Sequence, residues 1–319
     1  MSQISPPSSQ IRLFQQPIDW LYSFWKFSRP HTILGTSLSV FALYVITLAT
    51  MSEGFTWQSF GQLLGTWLAC LLGNVYIVGL NQLEDVEIDQ INKPHLPIAA
   101  GEFSRQQAWL IVGTSGISAL LLAGLLGVWL FLMVSTSLAI GTAYSLPPVR
   151  LKRFPVWAAL CIFGVRGAIV NLGLFLHFSW VFSGKFTTAP PSVVWILTLF
   201  VLIFTFAIAI FKDVPDLEGD KQYNITTFTI RLGKEAVFNL ARWVVTVCYL
   251  GMMLAGLFFP SSVDLYFLGI THFAALVVLW WRSQYVDLQD KTAIASFYQF
   301  IWKLFFLEYL IFPAACLLA

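Results

Sequence analysis

The sequence predicts an all-α, polytopic membrane protein with about nine transmembrane helices. Of the 319 residues, 58% are hydrophobic and only 11% are charged, whereas a soluble domain typically carries about 25% charged residues. Apolar runs of about 20 residues, the length that crosses the hydrocarbon core, recur along the chain. The Lys and Arg residues also cluster in alternate loops, which is typical of membrane proteins. Together these observations exclude a soluble globular domain.

The elements follow in order. Residues 1–16 are rich in Ser, Pro and Gln and lack the apolar core of a signal peptide, so we expect a disordered tail and insertion through the first span. Residues 18–29 combine aromatic and basic side chains, which favours a helix lying in the membrane interface. Residues 17–319 are then expected to form a single transmembrane domain. The predicted spans are 32–51, 61–80, 106–126, 128–146 (separated from the preceding span at Gly124 and Gly127), 155–178, 192–211, 236–258, 263–281 and 297–318.

The distribution of basic residues predicts the orientation. With the N-terminus inside, the outer loops receive only Lys185. The inner loops receive Arg12, Lys26, Arg29, Lys93, Arg105, Arg150, Lys152, Arg153, Lys212, Lys221, Arg231, Lys234, Arg282 and Lys291. This strong bias puts these loops on the cytoplasmic face. The net charge of +2 is small; we expect the lipid bilayer as a partner and no nucleic acid.

A polar, acidic segment at 81–102 interrupts the apolar sequence. Within it Asn81, Asp85 and Asp89 recur every fourth residue. If the preceding helix continues, the three form one ladder with steps of roughly 6 Å along the axis.

A second acidic segment, at 212–224, follows another apolar run. Asp213, Asp216 and Asp220 are spaced as one helical face, although Pro215 and Gly219 predict a broken helix. The predicted topology places both segments on the cytoplasmic face, where they can share a ligand.

Two carboxylate clusters beside basic residues point to Mg²⁺ and a diphosphate. Mg²⁺ prefers hard oxygen ligands and usually binds through one or two carboxylates, with substrate phosphates and waters completing the shell. Basic side chains nearby would hold the remaining diphosphate oxygens; they are Lys93, Arg150, Lys152, Arg153 and Lys212. The alternative is that the carboxylates are simply solvated. At a membrane surface, the first interpretation suits a diphosphate with a long apolar tail.

The spacing NxxxDxxxD with a second DxxxD, in a chain of about nine spans, resembles the UbiA superfamily of intramembrane prenyltransferases. Gln82 stands where many members have Asp. Longer strings are similar to the homogentisate prenyltransferases, and most closely to the cyanobacterial homogentisate phytyltransferases; Gln82 agrees with this branch. These strings are FSRPHTILGTSLSV (27–40), GNVYIVGLNQL (73–83), NKPHLPIAAGEFS (92–104), YSLPPVRLKRFP (144–155), VRGAIVNLGLFLH (165–177), FKDVPDLEGDK (211–221) and ASFYQFIWKLFFLEYL (295–310).

The resemblance implies helices around a central cavity with a cap on the cytoplasmic side. It also implies that Mg²⁺ is held by both acidic motifs. The implied metal shell is Asn81, Asp85, Asp89, Asp216 and Asp220, with Asp213 as an extra carboxylate. Of these, Asp85, Asp89, Asp216 and Asp220 are implied to be catalytic. Tyr144, Arg150 and Lys152 match the segment that faces the diphosphate, and Lys93 and Lys212 are expected beside it.

The implied reaction transfers a prenyl group from its diphosphate, with phytyl diphosphate as the expected donor, to homogentisate with loss of CO₂. The product would be a tocopherol precursor, made in a cyanobacterial-type cell or thylakoid membrane with the active site facing the cytoplasm. Solanesyl or geranylgeranyl diphosphate as donor, or chlorophyllide as acceptor, are alternatives. A secondary transporter or lipid-binding scaffold is an alternative outside the enzymes, although transporters place charged sites near the bilayer midplane.

Polar residues inside predicted spans are costly and often functional. Arg166 is a candidate to bind the carboxylate of the acceptor; the alternative is that it ties helices together through backbone carbonyls or through Glu308. Arg29, at the inner face, either contacts substrate or anchors lipid. We interpret His31 as an interfacial or packing residue.

Overall fold

The computed structural model describes residues 13, 15–51, 54, 56–186, 189–217, 222, 227–258 and 262–319. Within these ranges the regular secondary structure is entirely helical. The predicted disordered tail lies almost wholly outside the described residues, and so does Asp220.

The predicted spans agree with the observed helices. The helices are α1 (Pro17–Phe27), α2 (Pro30–Met51), α3 (Trp57–Glu84), α4 (Val86–Asn92), α5 (Arg105–Leu126), α6 (Val128–Ser145), α7 (Pro155–Phe163), α8 (Val170–Ser183), α9 (Ser192–Phe211), α10 (Phe228–Leu232), α11 (Lys234–Phe258), α12 (Leu265–Ser283) and α13 (Lys291–Leu317). A π-helical turn, Gly164–Ile169, joins α7 to α8. With that pair counted once, the described residues contain nine helices long and apolar enough to span a membrane. The predicted all-α, multi-pass class is therefore confirmed, whereas the cytoplasmic cap stays a prediction.

Helix ends follow local chemistry. The break between α5 and α6 lies at Gly127, whose φ of 154° is rarely adopted by residues with a side chain. A Cβ at Gly127 would also approach the Trp180 ring to 2.5 Å. The predicted second glycine, Gly124, lies inside α5. Capping boxes at Thr56 and Ser104 begin α3 and α5 and satisfy backbone N–H groups that a helix start leaves free.

The molecule packs around α9 and α13. Two-thirds of the apolar window of each, 67%, is buried inside the protein, a larger share than in the other spans. Large apolar side chains cover the outer faces of the peripheral helices, for example Trp57, Leu125 and Phe258. An apolar outer surface on helices of this length suits contact with lipid chains.

A second apolar cluster fixes α1 against the start of the acidic segment. Phe27 and Phe103 pack at its centre beside Leu83. Gln82, which is buried, donates from Nε2 to the carbonyl oxygen of Phe27 at 2.7 Å. The amide at this position therefore ties α3 to the α1–α2 junction, where Arg29 lies.

Candidate active site

The predicted Asn81–Asp85–Asp89 ladder persists through a break in the helix. Helix α3 ends at Glu84, and Asp85 caps it with φ −112° and ψ 20° before α4 begins. Backbone bonds still join Asp85 N to Asn81 O at 3.1 Å and Asp89 N to Asp85 O at 2.7 Å. The side chains stay in register because Asn81 Nδ2 donates to Asp85 Oδ2 at 2.9 Å.

The second acidic segment turns where Pro215 predicts a broken helix. Residues 212–216 form turns directly after α9. Asp213 is buried, and its Oδ1 accepts from Lys212 Nζ at 2.7 Å. Burial opposes the charged form of Lys212, but the carboxylate of Asp213 outweighs burial and raises the pKa of Lys212 well above its usual range.

The two acidic segments meet in space. Lys93 Nζ, from the first segment, lies 2.5 Å from Asp216 Oδ2, in the second. Asp89 is buried, which raises its pKa to about 6; Arg29 and Lys93 oppose that rise, and the charges of Asp85 and Asp216 add to it. Three carboxylates from two segments that are distant in the sequence, Asp85, Asp89 and Asp216, therefore lie close enough to influence one another electrostatically.

The predicted diphosphate-binding cations surround the same carboxylates. Lys152 Nζ lies 2.7 Å and Arg150 Nη2 3.2 Å from Asp85 Oδ1. Burial lowers the pKa of Lys152, and Asp85 opposes that shift. Arg29 Nη2 donates to Asn81 Oδ1 at 3.2 Å. These cations and carboxylates lie together at the helix ends, in a region that we call the acidic mouth. A multiply charged anion and a divalent cation would both find partners there. Its members are Arg29, Asn81, Asp85, Asp89, Lys93, Arg150, Lys152, Lys212, Asp213 and Asp216.

Tyr144 belongs to the same mouth. It lies at the end of α6, where its hydroxyl is within electrostatic range of Lys212, Asp213 and Asp85. A cavity of about 490 Å³ opens beside Asp85 and is lined by Arg105, Arg150, Lys152 and Arg153 among others. The structure therefore brings the described members of the predicted site together, with the exception of Arg166; their individual roles remain predictions.

The mouth fits a metal held jointly with substrate. Among the described residues, no group of three or more His, Cys, Asp or Glu side chains is arranged to hold a metal by itself. Asp89 Oδ2 is nevertheless buried without a hydrogen-bond partner. Mg²⁺ usually takes only one or two carboxylates and completes its shell with phosphate oxygens and waters. The donor set suits Mg²⁺ on those terms and not a closed protein cage.

Arg166 lies apart from this mouth, within the π-helical turn. Among the described residues Arg166 forms no ion pair with Glu308, whose Oε2 instead lies 3.0 Å from His272 Nε2. Sequence reasoning missed this buried pair. The only available signal was a titratable residue in each of two successive spans.

The comparisons with known proteins match this architecture. The model of the UbiA prenyltransferase family matches residues 38–304. Homogentisate phytyltransferase of Synechocystis sp. is 56% identical over 298 residues, which cover 92% of this chain and 96% of that protein. Homogentisate phytyltransferase 1 of Arabidopsis thaliana is 40% identical over 92% of this chain and 75% of its own. Homogentisate solanesyltransferase of A. thaliana is 37% identical over 98% of this chain and 81% of its own length.

Solved structures share the fold. A UbiA homologue from Archaeoglobus fulgidus bound to GPP and Mg²⁺ aligns with a TM-score of 0.61 at 18% identity, covering 93% of this chain and 100% of that one. An apo UbiA homologue from Aeropyrum pernix aligns with a TM-score of 0.65 at 16% identity, covering 91% and 98%. Because the family model covers most of the chain and relatives match along nearly all of it, this multi-pass membrane chain belongs to the UbiA prenyltransferase family and is a prenyltransferase.

Proposed function

We propose that the chain transfers a phytyl group from phytyl diphosphate to homogentisate in an Mg²⁺-dependent reaction that releases diphosphate and CO₂. The product is 2-methyl-6-phytyl-1,4-benzoquinol, a tocopherol precursor. The proposal is supported by family membership and by 56% identity to the Synechocystis homogentisate phytyltransferase. A single structural observation carries the chemistry: Lys93 on the first acidic segment contacts Asp216 on the second, so one mouth presents carboxylates and cations together.

The residues of this mouth bind and orient the donor. Asp85, Asp89 and Asp216, with Asn81, Asp213 and Asp220 as further candidates, would hold Mg²⁺, which supplies Lewis acidity to the leaving diphosphate. Lys93, Arg150, Lys152 and Lys212 would hold its outer oxygens, and Tyr144 would face it. The carbon–oxygen bond of the donor breaks as a ring carbon of homogentisate bonds to the allylic carbon. The ring proton is lost, and a proton at the methylene carbon replaces the departing CO₂.

Phytyl is the favoured donor because identity is higher to the phytyltransferase of Synechocystis (56%) and to phytyltransferase 1 of A. thaliana (40%) than to the solanesyltransferase of A. thaliana (37%). Geranylgeranyl and solanesyl diphosphates are the alternative donors. The test incubates membranes containing the protein with labelled homogentisate, Mg²⁺ and each prenyl diphosphate, and identifies the quinol by mass spectrometry. We expect phytyl diphosphate to give the highest kcat/KM. A higher value for another donor would replace phytyl in the proposal.

Two substitutions test the mouth directly. Asp89→Asn and Asp216→Asn keep the side-chain shape but remove one negative charge each, and we expect turnover to fall at least about 100-fold, as when a charge stabilising the transition state is lost. Glu235→Gln is the control, because Glu235 is exposed in the first turn of α11 and does not line the cavity beside Asp85. Wild-type turnover in either aspartate variant would refute the metal-shell assignment.

A transporter is the competing class. Its charged site would carry solute across the membrane, whereas the carboxylates here cluster at the helix ends. Purified protein in liposomes should therefore catalyse prenylation and give no flux of labelled homogentisate. Flux without prenylation would favour the transporter.

A further inference from the structure

Arg166 faces the interior of the helix bundle. Its guanidinium carbon lies 4.9 Å from the ring centroid of Trp302 and 5.6 Å from that of Phe305, both on α13. A Cβ added at Gly35, on α2, would lie 2.9 Å from its Nη1. Arg166 nevertheless keeps part of its surface accessible. Arg166 therefore lies against both α2 and α13 without being fully buried.

Within the described part of the chain, the positive charge of Arg166 has no counter-ion. Among the described residues, no carboxylate lies within ion-pair distance of it, and the nearby acid on α13, Glu308, is taken by His272. The two aromatic faces offset part of the charge through cation–π attraction. They leave the N–H edges of the guanidinium, which point along its plane, free to donate. A charge inside a membrane-spanning segment is costly without a partner, and such residues mark functional sites.

His31, on α2, contacts a ring beside Arg166 and also lies within reach of the charges of the acidic mouth. The ring of His31 lies 4.9 Å from that of Trp302, at 62° to it. His31 is also within electrostatic range of Arg29, Arg166 and Lys93. His31 and Trp302 thus link the surroundings of the Arg166 guanidinium to residues that are predicted to face the diphosphate.

The backbone at Arg166 is unusual as well. The residue belongs to the π-helical turn Gly164–Ile169 in the middle of a span. Such turns are rare and occur frequently at functional sites. A π turn changes the direction in which a side chain leaves the helix, and here one of the side chains that it directs is Arg166.

We propose that Arg166 is the recognition residue for the acceptor: it binds the carboxylate of an aromatic acid, while His31 and Trp302 form the walls against which the aromatic ring packs. This rests on the proposed function, which requires an aromatic acid beside the diphosphate mouth. The inference goes beyond the proposed function because it assigns the acceptor subsite to the π-helical turn, α2 and α13. Arginine suits this role because its planar fork matches a carboxylate with two parallel hydrogen bonds.

The test compares acceptors with and without the carboxylate. Equilibrium binding of labelled homogentisate to purified protein is measured in detergent, with competition by unlabelled homogentisate or by methylhydroquinone, which has the same ring hydroxyls but no carboxylate. In wild type we expect homogentisate to compete at least about 10-fold more strongly, the effect of one charged hydrogen-bonded pair. In Arg166→Gln we expect this preference to disappear, and the KM for homogentisate to rise about 10-fold to 100-fold with an unchanged KM for the prenyl diphosphate.

Two further variants separate recognition from folding. Arg242→Gln is the matched control, because Arg242 also lies over two aromatic rings, Phe238 and Trp280, each at 4.8 Å, but far along the chain from this site. It should keep the homogentisate preference. Gly35→Ala displaces the guanidinium without removing it. This variant should bind homogentisate more weakly and bind methylhydroquinone as tightly as wild type does.

The outcomes distinguish the two proposals. If wild type prenylates homogentisate and Arg166→Gln retains the wild-type preference for it, the acceptor subsite is wrong and the proposed function stands. Equal weakening of both competitors would also overturn the subsite, because it indicates general disruption. If wild type binds aromatic acids through Arg166 but prenylates no homogentisate, the proposed function fails and the subsite stands.

Discussion

Arg29 and Arg150 hold backbone conformations that residues with a side chain rarely adopt. Their φ values are 53° and 39°, in the left-handed region where a Cβ costs about 1–2 kcal/mol. Both arginines bond the first acidic segment, Arg29 to Asn81 and Arg150 to Asp85. Strain of this kind persists where the surrounding structure enforces it, and it is common at functional sites. We infer that it aims these guanidinium groups at the mouth.

Arg150 allows the strain to be measured. Arg150→Ala and Arg150→Gly both remove the guanidinium, but only glycine relieves the left-handed backbone. We expect the glycine variant to have a free energy of unfolding about 1 kcal/mol higher than the alanine variant, after the greater chain entropy of glycine is subtracted. Both should lose turnover to the same extent. Thermal unfolding in detergent, with a prenylation assay on the same samples, measures both quantities.

A reversed order of stability, with alanine above glycine, would show that the left-handed conformation at Arg150 carries no strain. Unequal turnover would show that the conformation, and not the guanidinium alone, matters for the reaction.

At the scale of elements, the π-helical turn is held by close packing against α9. A Cβ added at Gly167 would lie 2.6 Å from Leu202 Cα, a backbone atom that cannot swing away. In the same turn, a Cβ added at Gly164 meets nothing within 4 Å. The two glycines therefore differ in role, although they stand in one six-residue turn.

This difference gives a paired prediction. Gly167→Ala should push α9 away from the turn and lower the free energy of unfolding by about 1–3 kcal/mol, the usual effect of overpacking a core. Since α9 leads directly into Lys212 and Asp213, turnover should fall as well. Gly164→Ala should be neutral or slightly stabilising, because alanine favours the helix. The melting temperature and kcat/KM of both variants are measured in detergent. A loss in the Gly164 variant as large as that in the Gly167 variant would show that close packing does not distinguish them.

Elements and their partners differ in how far the sequence predicts them. The spans were predictable because a bilayer demands long apolar runs, and the break at Gly127 was predictable because glycine accepts a positive φ. The acidic ladder was predictable from its spacing. The π turn was not, since i to i+5 bonding leaves no local pattern of side chains. The contacts Lys93–Asp216 and His272–Glu308 could not be predicted either, because the packing of helices that are distant in the sequence determines which side chains meet.

The whole molecule combines an apolar exterior with a charged mouth at one end. The segments that build this mouth follow α3, α6 and α9, and each of these three spans ends there. Among the described residues, loops at the opposite ends carry a single basic side chain, Lys185. By the positive-inside rule, we expect the mouth to face the cytoplasm and homogentisate, the proposed acceptor, to enter from that side.

This orientation is tested with cysteine substitutions and a membrane-impermeant maleimide. Lys185 and Gln289 are both exposed, and the predicted topology puts them on opposite sides. In right-side-out vesicles Lys185→Cys should be labelled, whereas Gln289→Cys should be labelled only after permeabilisation. Inverted vesicles should give the opposite pattern. The wild-type chain, whose four cysteines all lie in spanning helices, sets the background. If Gln289→Cys is labelled in intact right-side-out vesicles, the mouth opens on the far side. The proposed acceptor would then have to reach the mouth from the side of the membrane opposite the cytoplasm.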